Sequence, residues 1–485
     1  MKRVLLVQFI CMTLCSWVIG QPRFGGPVIY PEKLHEDLEV LRGLVHQAHP
    51  DPYRYCTHSE LDRLFDAVRD SIHVPIRTDE FQAMLLPVFQ RIGDANLAPE
   101  LDAPTYRSLM NTTAVLPLKV RVIEGELYVD EELKGFRSLS VGSHIRAING
   151  IASARILERV KALVCADGAN ESLRWKLVER DFPWLLLRAF GYAPDFRIDL
   201  ELPSGGDAVE TLFAITGEEI ERSRKPATEV LFPWSSVWET ESATLWVTMR
   251  TLDKDAIEAS GQNVERFLGD MLKELKDGKA RNLVLDLRDA GGRELGMAEV
   301  VFATIAKEPF RVVQGMSVRS ASPPEGYVFV DPQPEHYASV HAHYLPHDLN
   351  GTAFLRPDDD RLEPVQPQAR AFDGKVYVVC DGGTRDAAAA LVMLAKRHGR
   401  ARVIGEETGT NAYSFTGGRE LTVIAPNSGV RLRIPLVRYL PEGTPTGAMD
   451  HGEMPNNQVQ QQPMDIAKGR DTVRRALLGT IKELQ

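Results

Sequence analysis

Asp386 is a carboxylate set between a glycine turn and a helical run. It follows the tight run Gly382-Gly383-Thr384-Arg385, which itself follows the apolar stretch Val376 to Cys380. A strong helical run, Ala387 to Lys396, comes next. A carboxylate at such a place can cap the helix, because Asp is a favoured N-cap and its charge suits the positive helix end. It can also act as a base toward water if a second carboxyl shares its proton. Capping is the expected role of Asp386. A second group is His336, His341, His343 and His347. His-x-His with flanking histidines can ligate zinc. No Glu completes a His-Glu-x-x-His pattern, so solvent-facing loop histidines are expected and no metal or cofactor is called for. Asp286 and Arg288 have the spacing of a structural ion pair.

The elements that must position these groups follow from periodicity. Leu34, Leu38, Leu41, Val45 and Ala48 recur at helical spacing before Pro50. Thr57 and Glu60 form a capping-box pattern ahead of Leu61, Leu64, Phe65, Val68 and Ile72. Phe81, Leu85, Val88, Phe89 and Ile92 mark a third helix, with a kink expected at Pro87. From about residue 114 the texture changes to short strands. "AVLPLKVRVIEGELYVD" predicts a hairpin, "LSVGSHIRAINGIAS" a strand pair and "DFRIDLELPSGG" a closing strand. The remainder alternates strand and helix. "TLWVTM" (244–249), "NLVLDL" (282–287) and "KVYVVC" (375–380) read as strands, the last two buried on both faces. "ELTVIAP" and "VRLRIP" predict a hairpin around Asn427-Ser428-Gly429. This is an α/β pattern. Residues 322–372 are Pro-rich and polar and read as a long loop.

Composition excludes several classes. The formal charge is −10, with no basic run, so nucleic acid is not an expected partner. Lys2 and Arg3 precede the uncharged, mostly apolar stretch Val4 to Ile19, and Val18-Ile19-Gly20 fits a cleavage site before Gln21. A secretory signal peptide over 1–20 is expected, and no membrane span after its removal. Cys56, Cys165 and Cys380 then remain, an odd number that cannot close a disulfide framework.

Four segments together resemble the tail-specific (C-terminal-processing) serine peptidase family. They are "NLVLDLRDAGG" (282–292), "GKVYVVCDGGTRDAAAALVMLAKRHGRARVIGEETG" (374–409), "VGSHIRAING" (141–150) and "HGEMPNNQV" (451–459). The helices over 31–92, with "HPDPYRY" (49–55), are similar to the N-terminal region of the family's secreted bacterial branch. The resemblance implies a ClpP/crotonase-like core over 231–485, a PDZ-like β-rich module over 111–230 and an N-terminal helical region over 21–110. It places the nucleophile, a Ser in the family, at Asp386. The family's base is a Lys or, in another branch, a His; these positions fall on Asn411 and Asn96. Neither Asn can take up a proton near neutral pH. Asp94, Asp289, Glu406 and Glu407 are the carboxyls the resemblance brings near Asp386. Gly291, Gly292, Gly382, Gly383, Thr384 and Ala387 are implied to line the substrate site, and Gly142-Ser143-His144-Ile145 to belong to the peptide-binding module.

The expected function is a secreted or periplasmic family member that binds peptides or protein C-termini and has lost its catalysis. Two alternatives stay open. One is an active peptidase with an unrecognised nucleophile, for which Ser414 and Thr384 are nearby hydroxyls. The other is a non-enzymatic assembly protein that uses its acidic surface and residues 322–372.

Overall fold

A computed structural model describes residues 26–133, 138–223, 232–320, 322, 324, 327, 340, 342–346 and 352–483. The expected signal peptide lies outside these residues, as do His336, His341 and His347.

The central sheet runs Trp234–Glu239, Thr244–Met249, Asn282–Asp286, Lys375–Cys380, Ala401–Gly405, Asn457–Gln458 in spatial order. Its first pair is antiparallel and the others are parallel. Side chains alternate between its faces. Leu283 and Leu285 pack under the helices Val264–Asp277, Gly296–Ala303 and Asp386–Arg397. Val284, Tyr377, Val379 and Ile404 face the C-terminal helix Thr472–Glu483. Both faces are covered, so these strands carry unbroken apolar runs. The α/β expectation holds.

A second sheet runs Tyr344–Pro346, Ala353–Leu355, Val313–Val318, Arg431–Pro441, Phe415–Ile424, with Pro99–Glu100 paired onto Arg431 and Leu432. Residues 322–372 are therefore not simply a loop. They hold the edge strand Tyr344–Pro346, its neighbour Ala353–Leu355 and the 3-10 turn Asp360–Leu362. Strands of three residues show no readable period, and here burial of Ala353 and Leu355 anchors them. The hairpin at 427–429 forms as the sequence indicates. Its Leu421, Val423, Leu432, Ile434 and Leu436 share one core with Leu34, Leu38, Leu41, Phe65, Phe81 and Phe89. The N-terminal helices thus close their core on strands from the far end of the chain. Pro87 lies inside a single helix, Thr78–Ile92.

The β-rich part is an antiparallel sheet in the order Asp207–Phe213, Asp195–Glu201, His144–Ile148, Glu126–Glu132, Leu118–Ile123. The helices Ser153–Lys161 and Glu171–Phe190 cover it through Ile156, Val160, Val178, Phe182 and Leu186. The second of these is a 20-residue helix with Pro183 inside it, capped by Asn170, whose side chain accepts the Leu173 N–H at 2.8 Å. Among the described residues no helix is long and apolar enough to cross a membrane. Cys56, Cys165 and Cys380 are buried and unpaired.

Candidate active site

The strand Lys375–Cys380 leads into a turn fixed by its own polar groups. Thr384 Oγ1 accepts the Asp381 N–H at 3.0 Å and donates to the Leu287 carbonyl at 2.8 Å. Asp381 Oδ1 accepts the N–H groups of Gly383 and Asp289, each at 2.9 Å. Gly382 is required by close approach, since a Cβ there would sit 2.2 Å from the Ser172 carbonyl oxygen.

Asp386 opens the helix but does not cap it. The N-cap is Arg385, which makes no side-chain capping bond. Asp386 has φ +51°, a left-handed backbone that costs a non-glycine residue about 1–3 kcal/mol. That conformation aims its side chain out of the first turn, and its Oδ1 accepts from Asn96 Nδ2 at 3.1 Å. The Asp386 N–H donates to Thr410 Oγ1 at 2.7 Å. Burial pushes the Asp386 carboxyl above its ordinary range; Arg385 and the Asn96 bond oppose this, and the Asp94 charge adds to it.

Asn96 is held by a buried polar network. Its Nδ2 also donates to the Thr416 carbonyl at 2.9 Å, and its N–H to Asp94 Oδ1 at 2.8 Å. Asp94 Oδ2 accepts Thr416 Oγ1 at 2.6 Å and lies 2.8 Å from His49 Nε2. His49 Nδ1 accepts the Asp51 N–H at 3.2 Å, which assigns the proton to Nε2. Burial works against the Asp94 charge, yet these hydrogen bonds hold its carboxyl below the ordinary range. Asp167 accepts the N–H groups of Ala95 and Asn411 at 2.9 and 3.0 Å. Burial, and then the Asp94 charge, push Asp167 up to about 7. His49, Thr416 and Asp167 were not legible as site residues. "HPDPYRY" held the one sequence signal, and it marked a segment and no particular side chain.

Three backbone donors around the Asp386 turn are engaged within the protein. The Ala387 N–H donates to the Gly292 carbonyl at 3.0 Å and the Arg385 N–H to the Ala290 carbonyl at 2.8 Å. The Leu252 N–H bonds the Gly291 carbonyl at 2.6 Å. The glycine loop is thus laced onto the turn that carries Asp386.

Other expected site residues lie elsewhere. Asn411 is fully buried and donates to Tyr55 Oη at 2.9 Å and the Met449 carbonyl at 2.8 Å. It does not face Asp386, because its amide braces the loop that also positions Tyr413 and Ser414. Thr384 and Ser414 are buried and outside the cleft, so neither hydroxyl is placed to attack a substrate. Glu407 accepts from the Gly452 N–H at 2.7 Å and contacts His451 at 3.0 Å. Among the described residues no carboxyl is hydrogen-bonded to Asp386; its side chain meets Asn96.

The cleft at Asp386 encloses about 290 Å³. Asn96, Gly291, Gly292, Asp253, Arg293 and Arg385 are among its lining residues. Arg433 is paired with Glu100 and Glu420 there. Of the expected substrate residues, Gly291 and Gly292 line the cleft. Gly382, Gly383, Thr384 and Ala387 do not: they pack against Ser172, Asp289, Leu287 and Gly292 behind it.

A larger cavity of about 750 Å³ lies between the β-rich sheet and the carboxyl ends of the central strands. Lys176 enters it, 2.7 Å from Asp381 and 3.3 Å from Asp289. Glu406 lines the same cavity, and burial moves its carboxyl from 4.5 to about 7. A carboxyl raised in the folded state costs stability once it ionises. That cost is absent below pH 4.5, grows between 4.5 and about 7, and is constant above. Glu406→Gln is therefore expected to raise the Tm at pH 8 and to lose that advantage by pH 4.5. Calorimetry across this range checks it, and a pH-independent difference would contradict it.

Residues 248–450 match the family model described as peptidase family S41. Mature CPAF complexed with lactacystin is similar in structure, with a TM-score of 0.68 and 13% identity, over 94% of this chain and 98% of that one. A second structure, of mature CPAF, gives 0.66 at 13% identity, over 93% and 97%. These likenesses establish the shared fold. No curated protein matches the chain in sequence.

Proposed function

We propose, since this chain belongs to peptidase family S41, that it is a catalytically degenerate member that binds peptides in the Asp386 cleft without cutting them. The observation that carries this reading is the Asn96–Asp386 contact at 3.1 Å. Acyl transfer needs a nucleophile, a base in reach and oxyanion donors. Here a carboxylate, a poor nucleophile toward an amide, meets an amide that cannot serve as a base. The Asp386 charge also stands where an oxyanion would develop, and the Ala387 N–H is already bonded to Gly292.

A peptide-binding role keeps what the cleft retains. Arg385 offsets the Asp386 charge, while Arg293 beside it is exposed. A free C-terminal carboxylate is the peptide group that suits Arg293. The Gly142-Ser143 stretch is less suited to that task, because its N–H groups bond the Val129 and Ser140 carbonyls at 2.8 and 3.2 Å. Peptides with a free C-terminus are expected to bind at least about tenfold more tightly than their amidated forms, a difference of about 1.4 kcal/mol. Arg293→Ala should erase that preference. Calorimetric titration with matched peptide pairs checks both, and equal affinity for the two forms would remove the C-terminal part of the reading.

The same reading places the protein outside the cytoplasm, secreted or periplasmic, on the strength of Lys2, Arg3 and the apolar run to Ile19. N-terminal sequencing of protein exported from its host tests this: a chain beginning at Gln21 fits, and a retained Met1 does not.

A further inference from the structure

The N-terminal helices hold a polar cluster that the cleft does not use. His46 lies on the helix Pro31–Ala48, and His58 and Asp62 lie one turn apart on the helix His58–Ser71. Their candidate ligand atoms all fall within 4.8 Å of one another, the one such convergence of three His, Cys, Asp or Glu among the described residues. His58 Nδ1 is 2.8 Å from Asp62 Oδ2, and His46 Nε2 is 3.1 Å from Asp62 Oδ1. The two imidazoles stack with centroids 4.5 Å apart and planes 18° from parallel.

The surroundings fix two of the three groups. Arg42 Nε and Nη2 donate to Asp62 Oδ1 at 3.0 and 2.6 Å, which leaves Oδ2 as the outward oxygen. Tyr53 Oη is 2.6 Å from His46 Nδ1, so the ring's other nitrogen, Nε2, is the one turned toward Asp62. A partner of this kind orients a metal-binding imidazole and sets its tautomer. The Arg42 charge opposes a cation, but it is shared with Asp66 at 3.0 Å and Glu39 at 3.8 Å. His58 is exposed and free to adjust.

We propose that His46 Nε2, His58 Nδ1 and Asp62 Oδ2 bind one divalent transition-metal ion of the zinc class, with water completing a tetrahedron. Zinc bonds of about 2.0–2.2 Å space tetrahedral ligands by roughly 3.4 Å, a separation the three atoms reach by small side-chain rotations. Two imidazoles and one carboxylate favour zinc, cobalt or nickel over magnesium or calcium. The ion would tie together the first two N-terminal helices, both of which belong to the core shared with the hairpin at 427–429.

The test uses the mature full-length chain stripped with a chelator. Zinc chloride is titrated calorimetrically, and cobalt chloride is followed by its visible absorption. The expected result is one zinc per chain, a tetrahedral cobalt band, and a zinc-dependent rise in Tm. His58→Ala, at an exposed position, should weaken zinc at least about tenfold and abolish the cobalt band and the Tm rise. Tyr53→Phe should weaken zinc by a smaller factor, and His343→Ala, on the other histidine-bearing segment, should change nothing. Absence of stoichiometric zinc binding overturns the proposal. So does binding unaltered by His58→Ala, including binding lost only in His343→Ala.

Discussion

The variant with Asp386→Ser and Asn96→His is expected to hydrolyse peptides at least about 10²-fold faster than the wild-type chain, since a positioned general base contributes about 10²–10⁴. The geometry behind this is the 3.1 Å contact between the two side chains, within the range for a nucleophile and its base. The Thr416 carbonyl, 2.9 Å from Asn96 Nδ2, offers an acceptor to hold the new imidazole. Losing the Asp386 carboxylate also removes a negative charge from the place where an oxyanion must form. The Ala387 N–H has then to leave the Gly292 carbonyl, and a glycine at 292 gives that peptide the freedom to turn. Asp386→Ser alone is expected to stay near the wild-type rate, because it adds a hydroxyl without a base. Initial rates on casein and fluorogenic peptides separate these cases. A folded double variant that binds peptide yet stays silent would contradict the placement of the site.

Lys176→Met is expected to destabilise the protein by about 3–5 kcal/mol, the usual consequence of removing one partner from a buried ion pair. Lys176 comes from the helix Glu171–Phe190 and meets Asp381 at 2.7 Å. Burial works against both charges, and the pair holds Lys176 above and Asp381 below their ordinary ranges. Without the ammonium, Asp381 keeps the Gly383 and Asp289 N–H groups but loses its counter-charge. Asp381 also anchors the turn that carries Asp386, so peptide binding should weaken in parallel. Lys176→Arg should recover part of both losses. Urea unfolding and calorimetric titration measure the two effects, and a loss under about 1 kcal/mol would show that the pair contributes little.

The central strands were legible because both of their faces are covered, which writes an unbroken apolar run such as Val376 to Cys380 into the sequence. The Asp386–Asn96 pairing came from resemblance alone: Asn96 and Asp386 are 290 residues apart. Asp386 as a helix cap failed because N-cap preference assumes an extended backbone at the cap. Here Arg385 is extended and Asp386 is left-handed. The resemblance put base positions on both Asn96 and Asn411; Asn96 meets Asp386, while the Asn411 amide is drawn into a loop with Tyr55 and Met449. The helix Glu171–Phe190 went unread because Pro183 and the consecutive Leu185, Leu186 and Leu187 blur its period. The core shared by the N-terminal helices and the hairpin at 427–429 joins segments more than 300 residues apart, and no local pattern reports such a contact.

The central claim is a cleft that binds peptide and does not cut it. The most direct test incubates the wild-type chain from Gln21 onward with a peptide it is shown to bind, and follows the peptide by mass spectrometry. The account predicts an intact peptide after prolonged incubation, with or without Asp386→Ala. Cleavage by the wild-type chain that Asp386→Ala abolishes would contradict it and make Asp386 a working catalytic group.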